Sequence, residues 1–486
     1  MDAQQAKAIS DKWMIPTPAG AYMSGLENRP IIERAEGIEV IDTTGKRYLD
    51  FGSGQMAAAL GHNHPRYVES VKKSLETISH STKTFLNVDR LELHERLGEI
   101  LTPPLQKTLF LVSGSDAIEA AIDLARKATG GVDVLALDMA LHGSTSFVTR
   151  SLTFGWGRAK HRLAAPGTSA ILTPYAYRSP LAGGNDFVEK CLQLSFEIAD
   201  ANFTSKPAAV ILEPVLSAGG VIVPPPGYVK ALTRMAHDRG MLVIMDESQT
   251  GLGKTGKMWG HLHEDVVPDI MTVSKHFGAG LPVSAVCTTP AIAQQAVDNG
   301  YFATRSHACD PIVCAAGVAS IDIIQQEKLV ERAAAIGRRM QSAIEAMAKD
   351  IEAIGDIRGR GVLYGIELVE DRGTKAPAND LCRAVVAQCQ KDGLLVQSRG
   401  SHGRLNVVRL VPPMVSTDTE ISSNSTPAIA TKFAKCLCCR RSRKLRSFSG
   451  PAIACPSRTA TGLSSFGRQQ RPLRTARSAR CCLSFL

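Results

Sequence analysis

The sequence predicts an α/β protein: a mostly parallel sheet sandwiched by helices, followed by a smaller α+β domain. Three observations predict it. Short apolar runs of strand length alternate with segments of helical periodicity over the middle of the chain. Of the 486 residues, 44% are hydrophobic, enough to bury a large core. Beyond about residue 320 the alternation gives way to one long amphipathic helix and a few shorter strands.

Taken in order, TLFLVSG at 108–114 reads as a strand, and SDAIEAAIDLARKATG behind it carries apolar residues at helical spacing and ends at glycine. VDVLALD and PAAVILEPV (207–215) read as strands, GYVKALTRMAHDRG as a helix, and LVIMDE (242–247), DIMTVSK and VSAVCTT as further strands. Continuous apolar strands separated by helices imply a sheet covered on both faces. This large domain is expected over 60–320. LVERAAAIGRRMQSAIEAMAKD is a long amphipathic helix leading into GVLYGIELVED, a helix from about 377, LLVQS and VVRLVPP, a smaller domain over 321–421. Residues 1–59 are expected to pack on that smaller domain. No internal repeat is visible.

The net charge of +10 raises the question of nucleic acid, and its distribution answers it. Residues 422–486 hold thirteen Lys or Arg and no acid, so the first 421 residues carry 43 basic against 46 acidic side chains. The body is nearly neutral and offers nucleic acid no basic face. The tail also holds six of the twelve cysteines; its CLCC lacks a second ligand pair at regular spacing, so no metal is expected. The other six cysteines are scattered and read as reduced, buried thiols. The first thirty residues lack a basic n-region and an apolar h-region, and no run of about twenty apolar residues occurs. A soluble, cytoplasmic protein is expected.

Chemistry enters at MTVSKHFGAGLPV (271–283), where Lys275 ends an apolar run. A lysine there is either solvent-facing or partly desolvated with a lowered pKa; a neutral amine condenses with aldehydes to a Schiff base. LVIMDESQTG places Asp246 at the carboxyl end of another apolar strand, where open α/β sheets bind ligands. Ser113, Gly114 and Ser115 sit at a strand-to-helix junction, where free N–H groups suit a phosphate as well as an ordinary helix cap. Each alone is commonplace. A phosphate clamp, an acidic strand end and a lysine, in that order on successive strands, form a much more specific pattern.

With FGSGQMAAALGHNHP, VSGSDAIEAA, LHGST, LEPVLSAGG, IMDESQTGLGKTG, TVSKHFGAGLPVSAV and VVRLVPP, the chain resembles the fold-type I, class III pyridoxal-phosphate aminotransferases over roughly residues 15–421. SGQM (53–56) and LSAGG (216–220) are similar to the dialkylglycine decarboxylase branch. The resemblance implies pyridoxal 5′-phosphate as cofactor, a Schiff base and proton transfer at Lys275, Asp246 on the pyridine nitrogen, Gln249 near the phenolic oxygen, and Ser113, Gly114 and Ser115 on the phosphate. It implies cofactor contacts at Leu141, His142 and Glu213, and a phosphate contact from Ser306 of a neighbouring subunit, hence a homodimer or homotetramer. Arg409 would grip a substrate carboxylate bidentately, and Gln55 would lie beside the scissile bond. The implied partners are a small amino donor and a keto-acid acceptor such as pyruvate. The implied reaction is decarboxylation-dependent transamination of 2,2-dialkylglycines to ketone and CO2, with ordinary class III transamination as the alternative. A catalytically inactive scaffold with a basic tail is the reading from another class.

Three departures bear on this. Leu141 stands where the family has an aromatic ring, Ala218 where the decarboxylases have a hydroxyl, and the family's last amphipathic helix is replaced after residue 421 by the Arg-, Ser- and Cys-rich tail. That abrupt shift reads as disorder after a changed frame or splice pattern rather than as an interaction tail.

Overall fold

The computed structural model describes residues 2–15, 30–153, 164–182, 184–417 and 420–421; the basic tail expected from residue 422 lies outside them. Its centre is a seven-stranded sheet of β4 (Lys107–Leu111), β5 (Asp133–Leu137), β6 (Thr168–Ile171), β7 (Pro207–Leu212), β8 (Leu242–Asp246), β9 (Ile270–Val273) and β10 (Ser284–Thr288). The order is β4-β10-β9-β8-β7-β5-β6, and β10 alone runs against its neighbours. The middle strands are apolar throughout because helices cover both faces. Val210, Ile211, Val243, Ile244 and Met271 are fully buried.

Two smaller sheets flank it. β1 (Ile32–Glu36), β2 (Glu39–Asp42) and β3 (Arg47–Asp50) form an antiparallel ribbon whose last strand pairs in parallel with β13 (Leu394–Leu395). β11 (Ile354–Arg360), β12 (Leu363–Leu368), β14 (Gln397–Arg399) and β15 (Val407–Leu410) form an antiparallel sheet in the order β11-β12-β15-β14. Arg358 of β11 reaches the helical turn Ser217–Gly220 that follows β7, donating from Nε and Nη2 to Gly220 O at 3.0 and 2.7 Å. Glu367 of β12 is buried and ion-paired with Arg178 and Arg358.

β6 is the one central strand that the hydrophobic pattern does not announce. Its four residues, Thr-Ser-Ala-Ile, lie at the sheet edge, where a partly solvated strand needs no apolar run. Among the described residues no helix is long and apolar enough to cross a membrane.

Candidate active site

Five parallel strands deliver polar residues to one edge of the central sheet. Ser113 follows β4, Leu141 and His142 follow β5, Glu213 follows β7, Asp246 ends β8, and Lys275 follows β9. The carboxyl edge of such a sheet is where the chain turns into helices and leaves room for a ligand.

Ser113 caps the sixteen-residue helix Gly114–Thr129, its Oγ accepting from Asp116 N at 3.3 Å. Ser115 Oγ accepts from Ser144 N at 3.2 Å, which ties the LHGST loop to the helix start. Gly114 is required by proximity: a Cβ there would stand 2.7 Å from Ser274 Oγ. That serine hydroxyl is buried and has no hydrogen-bond partner among the described residues. A helix N-terminus with an unsatisfied hydroxyl beside it is an anion cradle.

Asp246 is buried, its Oδ2 2.9 Å from His142 Nδ1 and its Oδ1 accepting from Ser248 N at 3.1 Å. Burial alone would raise its pKa, yet the His142 hydrogen bond and the nearby His142 and Lys275 charges outweigh it and hold the carboxyl below the usual range. Glu213 behaves differently. It accepts from Leu141 N at 3.0 Å and from Ser217 N at 3.2 Å, and burial, with Asp246 close by, pushes it to about 7. One carboxyl is thus held as an anion while its neighbour sits near its titration point at neutral pH.

Lys275 opens a single 3-10 turn at φ 50, a left-handed conformation uncommon for a residue with a side chain. Burial lowers its pKa; Asp246 and Glu213 resist, while Arg409 and Arg399 add to the lowering. The amine is therefore neutral at lower pH than an ordinary lysine, the state needed for attack on a carbonyl. The loop that carries Gln249 is pinned by Glu247, whose carboxylate accepts from Gly260 N, His261 N and Thr250 Oγ1 at 2.9, 2.8 and 2.5 Å.

Arg409, 2% exposed on β15, donates from Nη1 to Ser217 Oγ at 2.8 Å and to Gln249 Oε1 at 3.2 Å, and from Nη2 to Gln397 Oε1. Gln397 Nε2 in turn donates to Gly54 O at 3.2 Å and Gln55 Oε1 at 3.4 Å. Gln55 is exposed on the Ser53–Met56 turn, where Ser53, Gly54 and Met56 all have positive φ. The turn packs on the Lys275–Phe277 segment. Ser306 is exposed on a turn and makes no described hydrogen bond to the other site residues. Its neighbour Asp310 accepts from Nδ1 of His80 and of His307 at 2.6 and 2.7 Å.

Gln397 and Arg399 of this cluster lie outside the quoted motifs, whereas Ser217 and Ser274 stand inside LSAGG and TVSKHF without having been singled out there. Ser274 had the best available signal, as the residue before the lysine. Gln397 and Arg399 could have been found as alternate residues of a strand facing the arginine of VVRLVPP.

A sequence-family profile described as "Aminotransferase class-III" matches residues 23–430. An uncharacterized aminotransferase of Schizosaccharomyces pombe is 38% identical over 396 residues, covering 80% of this chain and 88% of that one. A probable 4-aminobutyrate aminotransferase of Bacillus subtilis is 33% identical over 404 residues, covering 81% and 90%. Among solved structures, an omega transaminase from Pseudomonas jessenii in complex with PMP superposes with a TM-score of 0.77 at 28% identity, covering 84% of this chain and 92% of that one.

Proposed function

Since the chain belongs to the class-III aminotransferase family, we propose that it moves an amino group from an amino-acid or amine donor to a keto-acid acceptor by plain transamination, without decarboxylation. It is a pyridoxal-phosphate enzyme of fold type I. The observation that carries the reading is the gathering of Lys275, the Asp246–His142 pair and Arg409 at one edge of the central sheet.

The residues fit the cofactor. Gly114, Ser115 and the unsatisfied Ser274 hydroxyl would hold its phosphate, Lys275 its aldehyde carbon, Asp246 its ring nitrogen, and Gln249 its phenolic oxygen, with Leu141 and His142 against the ring and Glu213 behind them. When bound, pyridoxal phosphate supplies an aldehyde for the amino group and a protonated pyridine that accepts the electron pair left when a bond at the substrate Cα breaks. Asp246, held anionic, keeps a proton on the ring nitrogen. Lys275 Nζ, whose protonation burial disfavours, would take the proton from Cα. Arg409, braced by Ser217, Gln249 and Gln397, would fix the substrate carboxylate and so orient the bonds at Cα. The active unit is at least a homodimer, in which Ser306 of each chain completes a phosphate site in the other.

Plain transamination is favoured over the decarboxylating alternative by two facts. The relatives above bear aminotransferase names, and the buried Ala218 offers no hydroxyl to a second carboxylate position. One observation favours the alternative: Gln55 Oε1 accepts from Gln397, which leaves its Nε2 directed elsewhere as a donor. The test is a mass-spectrometric screen of amino donors with pyruvate and other keto acids, following product amine and CO2 together. Amine transfer without CO2 is expected. Stoichiometric CO2 from 2-aminoisobutyrate, which has no α-hydrogen, establishes the decarboxylating reading instead, and the Gln55→Ala variant should then lose CO2 release by roughly a hundredfold. A protein that neither retains pyridoxal phosphate nor transfers an amine to any acceptor leaves the scaffold reading.

A further inference from the structure

The turn that presents Gln55 is strained. Ser53 and Met56 have φ of 46 and 65, left-handed values that cost residues with side chains, and Gly54 lies between them at 59. A backbone of this kind persists only where its surroundings over-determine it. Two of its holds come from late in the chain: Gln397 Nε2 donates to Gly54 O at 3.2 Å, and the Ser53 hydroxyl donates to Val411 O at 2.6 Å. A third hold is the side chain of Asp50, the buried last residue of β3. Its Oδ1 accepts from Gly52 N at 3.0 Å and its Oδ2 from Gly54 N at 2.5 Å.

An aspartate commonly bonds the N–H two residues on. Here the second oxygen reaches the fourth as well, so one carboxylate fixes the chain on both sides of Ser53, up to the residue before Gln55. Oδ2 also lies 3.0 Å from His62 Nε2. His62 is anchored in turn by two backbone bonds with Gly37, its N donating to Gly37 O at 2.6 Å and its O accepting from Gly37 N at 3.0 Å. From the other direction Gln397, which accepts from Arg409 Nη2, donates to Gln55 Oε1 at 3.4 Å. Asp50 grips the turn by its N–H groups and Gln397 grips it by a carbonyl, and between them they set the separation of Gln55 from Arg409.

We infer that Asp50 is a positioning residue for amino transfer: acting through the turn and not by touching substrate, it sets where the Gln55 amide stands beside the carboxylate that Arg409 holds, with His62 as its brace. The inference rests on the amino-transfer reading above and adds a residue pair to its substrate side. Asparagine at position 50 keeps the shape but offers one acceptor oxygen where two N–H groups need a partner, so the turn is released. A displacement of about 1 Å at the reacting centre is enough to slow a reaction by roughly a hundredfold. An aspartate serving stability alone would instead lower stability and leave the chemistry untouched.

Single-turnover absorbance kinetics of the cofactor-loaded protein read the amino-donor step for L-alanine, L-glutamate and 4-aminobutyrate in the unmodified chain, Asp50→Asn, Gln55→Ala and the double variant. With the fastest of the three donors, Asp50→Asn and Gln55→Ala should each slow the step by roughly tenfold or more. The double variant should be no more than about twofold slower than the worse single one, since both changes remove the same contact. Half-saturating pyridoxal phosphate, read by thermal shift, should stay within about threefold in Asp50→Asn, because Asp50 bonds Gly52, Gly54 and His62 and not the phosphate cradle. His62→Leu should slow the donor step by roughly three- to tenfold, and His62→Gln, which keeps an N–H donor, should recover most of the loss; these two variants decide the matter if Asp50→Asn does not fold. Single effects that multiply in the double variant, an unchanged donor step in Asp50→Asn, or a His62→Leu protein as fast as the unmodified one overturns the inference and leaves the amino-transfer reading standing. An unmodified protein that turns over none of the three donors counts against that reading and takes this inference with it.

Discussion

Replacing Lys254 by methionine should stabilise the protein at neutral pH and remove part of its pH dependence. Lys254 is fully enclosed, and its Nζ has no hydrogen-bond partner among the described residues. Burial lowers the amine from 10.5 to about 7, with Asp50 resisting and Arg409 assisting. Between those values the unfolded chain holds a proton on this lysine that the folded chain lacks. Stability therefore rises with pH across the window, by ~1.4 kcal/mol per unit, and below about pH 7 the contribution levels off at its least favourable. The penalty is ~4 kcal/mol at pH 7, where the folded lysine is half protonated, and ~2 kcal/mol at pH 9. Methionine is close in volume and cannot titrate. The advantage of Lys254→Met over the unmodified chain should accordingly shrink by ~2 kcal/mol between pH 7 and pH 9. Urea unfolding of both proteins at pH 7, 8 and 9, followed by tryptophan fluorescence, measures it; pH effects from other groups cancel in the difference. Parallel pH profiles would mean that Lys254 keeps its proton in the fold, and the reasoning from burial would be wrong.

Lys275→Ala should bind pyridoxal phosphate only reversibly and lose turnover by roughly a thousandfold or more; borohydride treatment followed by mass spectrometry should find no cofactor fixed to the chain. Asp246→Asn should still capture the cofactor but slow the first half-reaction by about a hundredfold, since a neutral amide cannot keep the ring nitrogen protonated; an unchanged single-turnover rate would remove Asp246 from that role. Gly114→Ala places a methyl 2.7 Å from Ser274 Oγ and should weaken cofactor phosphate binding about tenfold or more, read as the half-saturating pyridoxal phosphate in a thermal-shift titration. Cofactor capture should remain fast at pH values where an ordinary lysine is protonated, because burial lowers the Lys275 pKa; stopped-flow absorbance between pH 6 and 9 should show the rate rising with pH and reaching its plateau below 10.5, the ordinary lysine value.

What was legible in the sequence was whatever the central sheet enforces. β7, β8 and β9 are buried on both faces, so they read as unbroken apolar runs, and a polar residue at such a run's end stands out. That is why the places of Asp246 and Lys275 at strand ends could be read in advance, whereas Glu213 was reached only through the family resemblance. β14 could not be read in this way. It has three residues, too few to show a period, and its face is set by pairing with β15 across an intervening loop. Arg399 and Gln397 therefore offered only the weak signal of alternate positions beside VVRLVPP, although both are buried, as Arg409 is. The Gln55 turn had a motif but no visible geometry, because its backbone follows from contacts with distant chain: Val411 N donates to Phe51 O at 2.7 Å, and Ser53 Oγ donates to Val411 O at 2.6 Å.

The parallel pairing of β3 with β13 has a consequence for biosynthesis. Leu49 and Asp50 leave the ribosome more than three hundred residues before Leu394 and Leu395, their partners. At about 5–20 residues per second the gap lasts on the order of half a minute. Throughout that interval the ribbon β1-β2-β3 has an open edge, a ready template for a strand from another nascent chain. The turn carrying Gln55 is waiting too, since Gln397 and Val411 also arrive late. The substrate side of the site, where Arg409 and the Gln55 turn meet, is thus completed only once the last strands have been made.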